Sequence, residues 1–431
     1  MLMIGRKGII RTGPERREIR KRVPAVVNVQ KVLSDNMWKG SPCVIIGGGE
    51  SIQLQKLDLR KLKGHLIIAI NKSFAPPNDE YISTIIYSMD TRCWGWIESG
   101  KLGAGLKDKF INMPSIKIWL YRPEIPLPSD IFRIACAGPS MWGSSIAQGI
   151  GGCHSGFGAL NLACLLGANP IYLLGYDMKG KNGKQAWWHG KYPVVQNDTV
   201  FAHYKKIIEQ NVGKMGNVIN LNPDSALKCF KFGDYSSLPA PKKFPRIIAY
   251  YTKNTPYEKE VESLRLSVQA LGLEHDIVGI PSLGKWELNC ARKASFIIDE
   301  LSKFPGEPLL YVDADAVFLK RPYFFETLKD KSHVYIRKKK SGFDELISAT
   351  IYLPGNSESM RLMQAWQLEQ ANLPEVWDQK VLQLVLDNKD NGFAYERLPH
   401  EYCHLFDDRI HLIDNPVIVQ NQASRRLKKL V

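Results

Sequence analysis

The stretch Tyr311–Pro322, YVDADAVFLKRP, decides how this chain is read. An apolar run ends in two aspartates, Asp313 and Asp315, separated by one small residue. In an extended segment, residues i and i+2 project to the same side, so the two carboxylates are expected to converge at a strand end. Open α/β sheets place their ligand crevice outside the carboxyl ends of their strands. Hard oxygen ligands presented there suit Mg²⁺ or Mn²⁺ shared with a diphosphate. An Asp-x-Asp by itself is a common string in calcium loops and plain turns. Its weight here comes from the apolar strand that leads into it.

Working outward, RIIAYYTKNTP opens a strand and loop, and YEKEVESLRLSVQALGL reads as an amphipathic helix. In that helix Val261, Leu264, Leu266, Val268 and Leu271 face inward. Further strands are expected near Leu309–Val312 and Ser332–Ile336, and helices near Ser357–Gln370 and Gln379–Leu386. Upstream, SSLPAPKKFPR is rich in proline and lysine without periodicity and reads as a linker. Before it, SPCVIIGGGESI, HLIIAINKSF and STIIYSMD read as apolar strands, GFGALNLACLLGAN as a buried helix and PIYLLGYDM as another strand. Strands alternating with helices imply mostly parallel sheets. The expected class is therefore α/β, with two Rossmann-like domains. The expected boundaries are a basic arm at 1–36, a first domain at 37–235, a linker at 236–246 and a second domain at 247–431.

The charge is uneven. The chain carries a formal +15, yet residues 247–431 hold 24 Lys+Arg against 26 Asp+Glu, so the basic excess belongs to the first half. Residues 1–22 alone hold 8 basic against 2 acidic side chains. Such a face attracts the phosphates of nucleic acid, nucleotides or anionic lipids. Nucleic acid is accordingly kept as an alternative partner, although the arm reads more simply as a solvated, poorly ordered segment. No apolar run approaches the ~18 residues of a membrane-spanning helix. The opening residues have no apolar core or small-residue cleavage site, so they do not read as a secretory signal. Eight cysteines without a CxxC pair read as free thiols of a reducing compartment, and a cytoplasmic location is expected.

Residues 247–431 resemble GT-A type glycosyltransferases, similar to the glycogenin-like and nucleotide-diphospho-sugar transferase families. The matching motifs are IIAYYTKNTPYEKE, GKWELNCARKASFIIDEL, VDADA, ELISATIYLPGN, WDQKVLQLVL and LPHEYCHLF. The resemblance implies a nucleotide-sugar donor, with Tyr251 and Thr252 at the nucleoside and Lys293 at the phosphates. It implies Asp313 and Asp315 on Mn²⁺ or Mg²⁺, and Asp378 and Gln379 as catalytic residues. Such families often carry a late histidine as a third metal ligand. Here Gln420 and Asn421 stand in the corresponding tail, with His404 and His411 as possible substitutes nearby. Trp286 and Trp377 read as core or pocket walls.

Residues 41–235 resemble the 6-hydroxymethylpterin pyrophosphokinase MptE-like family of phage and bacterial genomes, with a fold similar to that of bacterial sialyltransferases. VIIGGGESI, IIAINKSF, IIYSMD, SGFGALNLACLLGANPIYLLGYDM, WWHGKYP and NPDSALKCF carry this resemblance. From the residues themselves, Gly47, Gly48 and Gly49 after a strand would let the backbone approach a phosphate. Ser51, Asn71, Asp90, Ser155, Gly156, Asp177 and His189 would line the same crevice. Asp90 and Asp177 are read as holders of a cation or a ribose, His189 as a stacking group, and Ser155 alternatively as a helix N-cap.

The expected function is metal-dependent sugar transfer from a nucleotide donor, with an added nucleotide- or phosphate-binding domain. Two alternatives stand beside it. One is a phage transferase acting on a hypermodified base of nucleic acid. The other is an N-terminal diphosphotransferase with a non-catalytic C-terminal binding module.

Overall fold

The computed structural model describes residues 27–122, 126–194, 197–339, 341–406 and 413–427. The basic leader at 1–22 and His411 lie outside the described residues.

The first sheet contains β1 (Cys43–Ile46), β2 (Leu66–Ile70), β3 (Ile85–Ser88), β4 (Ile116–Leu120) and β5 (Ile131–Ile134). After a short ribbon of β6 (Cys136–Gly138) and β7 (Ile150–Gly151), it is completed by β8 (Ile171–Leu174), β9 (Val218–Asn220) and β10 (Lys231–Phe232). The eight strands run in the order β10-β9-β8-β1-β2-β3-β4-β5, and every pairing is parallel. Parallel sheets need crossovers and are covered on both faces, and β1, β2, β3 and β4 are buried at every position. The helices are α1 (Ser51–Leu54), α2 (Thr91–Glu98), α3 (Leu106–Asn112), α4 (Ser155–Leu165) and α5 (Val200–Asn211). Helix α4 has no polar face and is buried, as its composition requires. Its one central polar side chain, Asn161, is satisfied by the amides of Gly143 and Gly151.

The second sheet is mixed. It contains β11 (Arg246–Thr252), β12 (His275–Ile280) and β13 (Leu309–Val312), followed, after the separate β14 (Ala316–Phe318), by β15 (Ser332–Lys338), β16 (Asp344–Leu353) and β17 (Tyr395–Arg397). Their order is β12-β11-β13-β16-β15-β17, with β16 antiparallel to both neighbours. The two short strands β18 (His404–Leu405) and β19 (Ile418–Gln420) join β14 in a three-stranded patch. The helices are α6 (Tyr257–Ala270), α7 (Trp286–Ala291), α8 (Lys293–Lys303), α9 (Ser357–Asn372), α10 (Asp378–Asp387) and α11 (Ser424–Leu427). Helix α6 buries Val261, Leu264 and Val268, and Leu271 follows it into the core, while Leu266 is only partly covered.

The two sheets share one continuous apolar cluster, which runs from Val29, Trp38 and Ile45 through Leu264 and Val268 to Leu310 and Phe318. Residues 29–38 belong to this core: Val29 and Trp38 are fully buried, and the Trp38 indole donates to the carbonyl of Ala270 at 2.7 Å. The seam touches the amino ends of β1 to β3. There Gly272 lies so close to Leu66 and Thr84 that a Cβ would meet them at 3.0 and 3.4 Å. The segment 236–246 is tied down too. Lys242 pairs with Glu326 at 2.9 Å, and the buried Arg321 guanidinium covers the Phe244 ring at 4.5 Å.

Candidate functional sites at two strand-end cavities

Each sheet carries a cavity at the carboxyl ends of its strands. One of about 550 Å³ lies beyond β1–β3 and β8, and one of about 390 Å³ lies beyond β11 and β13. Because the halves meet at the amino ends of the first sheet, the larger cavity faces away from the seam.

The smaller cavity collects Tyr251, Thr252, Lys293, Asp313, Asp315, Asp378, Gln379 and Gln420. The two aspartates do not sit on an extended segment, as the sequence pattern suggests. Strand β13 stops at Val312, and the Asp313 carbonyl accepts the Ala316 amide at 3.0 Å, which closes a turn. Both still line one cavity, because the turn sits at the carboxyl end of β13.

Lys293 departs from expectation as well. Its ammonium is buried, 3.0 Å from Asp313 and 2.8 Å from Asp378, and it also donates to the Ser348 carbonyl at 3.2 Å and hydroxyl at 3.1 Å. It is the internal counter-ion of two carboxylates, not a cation extended toward a phosphate. Burial alone would push its pKa down. Asp313 and Asp378 outweigh that and hold it above the ordinary lysine range. Ser348 completes the bridge by donating to Asp378 at 2.7 Å, and the Tyr311 hydroxyl donates to Asp313 at 3.0 Å. Thr252 is nearly covered, and its hydroxyl is engaged with Thr255 at 2.9 Å, so Tyr251 is the more open of the expected nucleoside contacts.

Asp315 is clasped by the tail. The Ala423 amide donates to its carboxylate, and the Asn421 side chain donates to its carbonyl at 2.9 Å. Burial first, and the nearby Asp313 second, push its pKa up to about 6. Two carboxylates that cannot comfortably ionise together are what a cation relieves. Gln420, in the place expected for a late ligand, donates through Nε2 to Ala349 and Thr350, both at 2.9 Å, and its Oε1 is buried without a partner among the described residues. The wall also holds four acids (Asp313, Asp315, Glu345, Asp378) against three bases (Lys293, Arg337, Arg425). A diphosphate entering such a wall needs an added positive charge. The all-oxygen donor set fits Mg²⁺ or Mn²⁺, which bind through one or two carboxylates and substrate phosphates. Among the described residues no group of three His, Cys, Asp or Glu forms a self-sufficient metal cage.

In the larger cavity the structure brings together Gly47, Gly48, Gly49, Asn71, Asp90, Ser155, Gly156 and Asp177. Several of them have work other than the expected one. A Cβ on Gly47 would lie 2.6 Å from the Gly175 carbonyl, on Gly48 2.7 Å from Trp187, and on Gly49 2.5 Å from Asp177. The three glycines are required by packing against the next loop. Asp177 accepts from the Ser51 amide at 2.9 Å, the Ser51 hydroxyl and Asn222 at 2.8 Å, so Ser51 is a buried brace outside the cavity lining. Asp90 caps α2 and grips Arg92 through two contacts, 3.0 and 2.9 Å. Both carboxylates are thus engaged within the fold. His189 is buried beside Trp188 and Tyr192 and does not line the cavity. The cap of α4 is His154, not Ser155, whose hydroxyl sits 3.3 Å from Asn71.

His154, Arg122, Lys179, Trp96, Trp187, Tyr192 and Tyr204 also line this cavity, and apart from Trp187 and Tyr192, both in WWHGKYP, the sequence offered no motif for them. Burial drives the pKa of both His154 and His189 down to about 3. A folded-state pKa below the unfolded ~6.5 means stability that is complete above that pH and lost as acid protonates the unfolded chain. Thermal melts of the full chain are expected to be flat above pH 7 and to fall between about pH 6.5 and 4, by on the order of a few kcal/mol per imidazole. His154→Asn, which offers a side-chain oxygen in place of the capping Nδ1, should flatten part of that slope; an unchanged slope would show that the imidazole is not held neutral.

No curated protein matches the chain. Among solved structures, one similar chain is a glycosyltransferase involved in the glycosylation of the major capsid of PBCV-1. It shares 14% identity over 42% of this chain and 96% of that one, with a TM-score of 0.35. The glycosyltransferase GlyE of Streptococcus pneumoniae TIGR4 shares 12% identity over 41% of this chain and 55% of its own, TM-score 0.27. Its apo-form gives 14%, 41%, 54% and 0.28, so this chain spans about half the length of GlyE. The family model described as nucleotide-diphospho-sugar transferase matches residues 290–430, from the helices around Lys293 to the tail that clasps Asp315, and this part of the chain is similar to that family.

Proposed function

We propose that the domain at 247–431 transfers a sugar from a nucleotide donor in a reaction that depends on Mn²⁺ or Mg²⁺. The observation that carries this reading is the buried Lys293 bridge, which ties the Asp313 turn to Asp378 beneath one cavity wall. When bound, the divalent ion neutralises charge on the departing diphosphate, worth several kcal/mol in such reactions. Asp313, Asp315 and the Gln420 carbonyl oxygen are the groups that would hold it. Lys293 fixes Asp313 and Asp378 in direction, a preorganisation that needs no movement during reaction. Asp378 and Gln379 orient donor sugar hydroxyls or the incoming acceptor, and Tyr251 and Thr252 wall the nucleoside. The test is a screen of UDP-, GDP- and CDP-sugars for Mn²⁺-dependent hydrolysis, with Asp315→Asn beside the wild type. Hydrolysis indifferent to chelator and to the substitution overturns the reading.

The domain at 37–235, joined through 236–246, is read as a second site for a phosphorylated ligand or nucleotide. With Asp90 and Asp177 already engaged, Arg122 and Lys179 line the larger cavity without an ion-pair partner among the described residues, in a lining that also holds Trp96, Trp187, Tyr192 and Tyr204. A cavity of that charge and lining favours an anion carrying a flat ring. Changing both Arg122 and Lys179 to alanine is expected to weaken binding of such a nucleotide ~10- to 100-fold, measured by calorimetry. Unchanged binding, or no nucleotide binding by the wild type, rejects the site. Nucleic acid as a partner of the basic half is tested separately by salt-dependent retention of duplex DNA.

A further inference from the structure

The rim of the larger cavity is more basic than its interior requires. Three aromatic rings form one wall of the interior: Tyr192 packs against Trp187 and Trp96, with ring centroids 5.0 and 5.8 Å apart. Arg122 and Lys179 add cations to the lining. The loop 178–194, which comes after β8, carries four lysines and no acid. Within it Asn182 and Gly183, both at positive φ, make the turn that sets Lys181 and Lys184 opposite each other in an isolated bridge. Lys181 pairs with Glu50 at 3.3 Å. Lys184 and Lys191 are exposed and have no ion-pair partner among the described residues, and each is covalently next to a lining residue, Gln185 and Tyr192 respectively.

We propose that the larger cavity takes one nucleotide of a single-stranded nucleic acid, with the base on the aromatic wall and the flanking phosphates on Lys184 and Lys191. This rests on the reading of that cavity as a site for an anion carrying a flat ring, and names the ligand. A cavity of about 550 Å³ lies in the range of one small ligand, so a polymer enters it one unit at a time. A free nucleotide brings its charge on its own phosphate, which Arg122 and Lys179 already match. Two further unopposed cations at the rim find no partner on such a molecule, whereas a polynucleotide places a phosphate on each side of the inserted unit. Base stacking on aromatic rings and lysine contacts to the backbone are the two contributions that single-strand binding combines. A duplex matches the cavity poorly, because its bases reach such a pocket only after unpairing and unstacking.

The experiment is fluorescence anisotropy on the full chain with a labelled dodecamer single strand of mixed sequence, the same strand annealed to its complement, and the common nucleoside 5′-monophosphates as competitors. At low salt the strand is expected to bind ~10-fold or more tighter than the best monophosphate and than the duplex, and a saturating monophosphate should displace it. Changing both Lys184 and Lys191 to alanine should weaken the strand ~10-fold and flatten its log–log salt slope by about 1.4, two contacts at ~0.7 each, while monophosphate affinity moves by less than about twofold. Both lysines are exposed, so an unchanged melting temperature checks that the double variant folds. A duplex held as tightly as the strand, a strand that monophosphates do not displace, or a double variant that loses nothing overturns the inference. A chain that binds neither strand nor monophosphate removes the flat-ring reading of the cavity, and this inference with it, so the two failures are told apart in one series.

Discussion

Asp315→Asn is expected to lower kcat/KM for the nucleotide sugar by about 10³-fold, equivalent to ~4 kcal/mol of transition-state stabilisation. The substitution keeps the shape and the hydrogen bond from the Ala423 amide but removes the charge that would hold a divalent ion. Because burial and Asp313 already push the Asp315 carboxyl up to about 6, the wild-type site without metal is electrostatically uncomfortable, and the asparagine variant should fold at least as well. That separates a chemical loss from a folding loss. The accompanying measurement is thermal stability with and without Mn²⁺ and nucleoside diphosphate. Wild type should gain stability by mass action, roughly 2.7 kcal/mol at a hundredfold excess over Kd, and the variant should gain little. A variant that keeps both the Mn²⁺-dependent gain and the activity would remove the aspartate pair from the reaction.

The sequence exposed what is local and periodic, and it missed what depends on distant pairing. Strands β1, β2, β3, β8, β11 and β13 appear as short apolar runs bounded by turn residues, and α4 and α6 follow from composition and period. Strands β4, β5 and β12 do not stand out, because Lys117, Arg133 and Asp276 interrupt their apolar runs and glycine- or proline-containing turns lie beside them. Asp313, Lys293 and Asp378 were each legible as motif residues. That the ammonium would be buried between the two carboxylates was not, since the pairings span twenty and eighty-five positions and belong to the folded sheet. The glycine triplet shows the same limit. Its lack of side chains is equally consistent with a phosphate and with the Gly175 carbonyl, and only the loop after β8 decides between them. Asp90 and Asp177 likewise look like ligands until Arg92, Ser51 and Asn222 are seen to satisfy them.

Lys293→Met should cost the C-terminal domain about 3–5 kcal/mol and abolish transfer, because it strands a charge that cannot reach water. Side-chain exposure decides which partner suffers. Asp313 is 36% open and can be rehydrated, whereas Asp378 is only 7% open. A second change, Asp378→Asn, should therefore restore much of the lost stability in the methionine background while leaving the enzyme inactive, since the pair is replaced by groups without charge. Lys293→Arg should not rescue either property. The planar guanidinium cannot reproduce a compact ammonium that donates to Asp313, Asp378 and Ser348 in different directions. Urea midpoints of the four proteins, read beside donor hydrolysis, decide the matter. If the methionine variant is as stable as wild type and loses only affinity for the nucleotide, the lysine reaches out to phosphate as its sequence position suggests, and the bridge is not what organises the site.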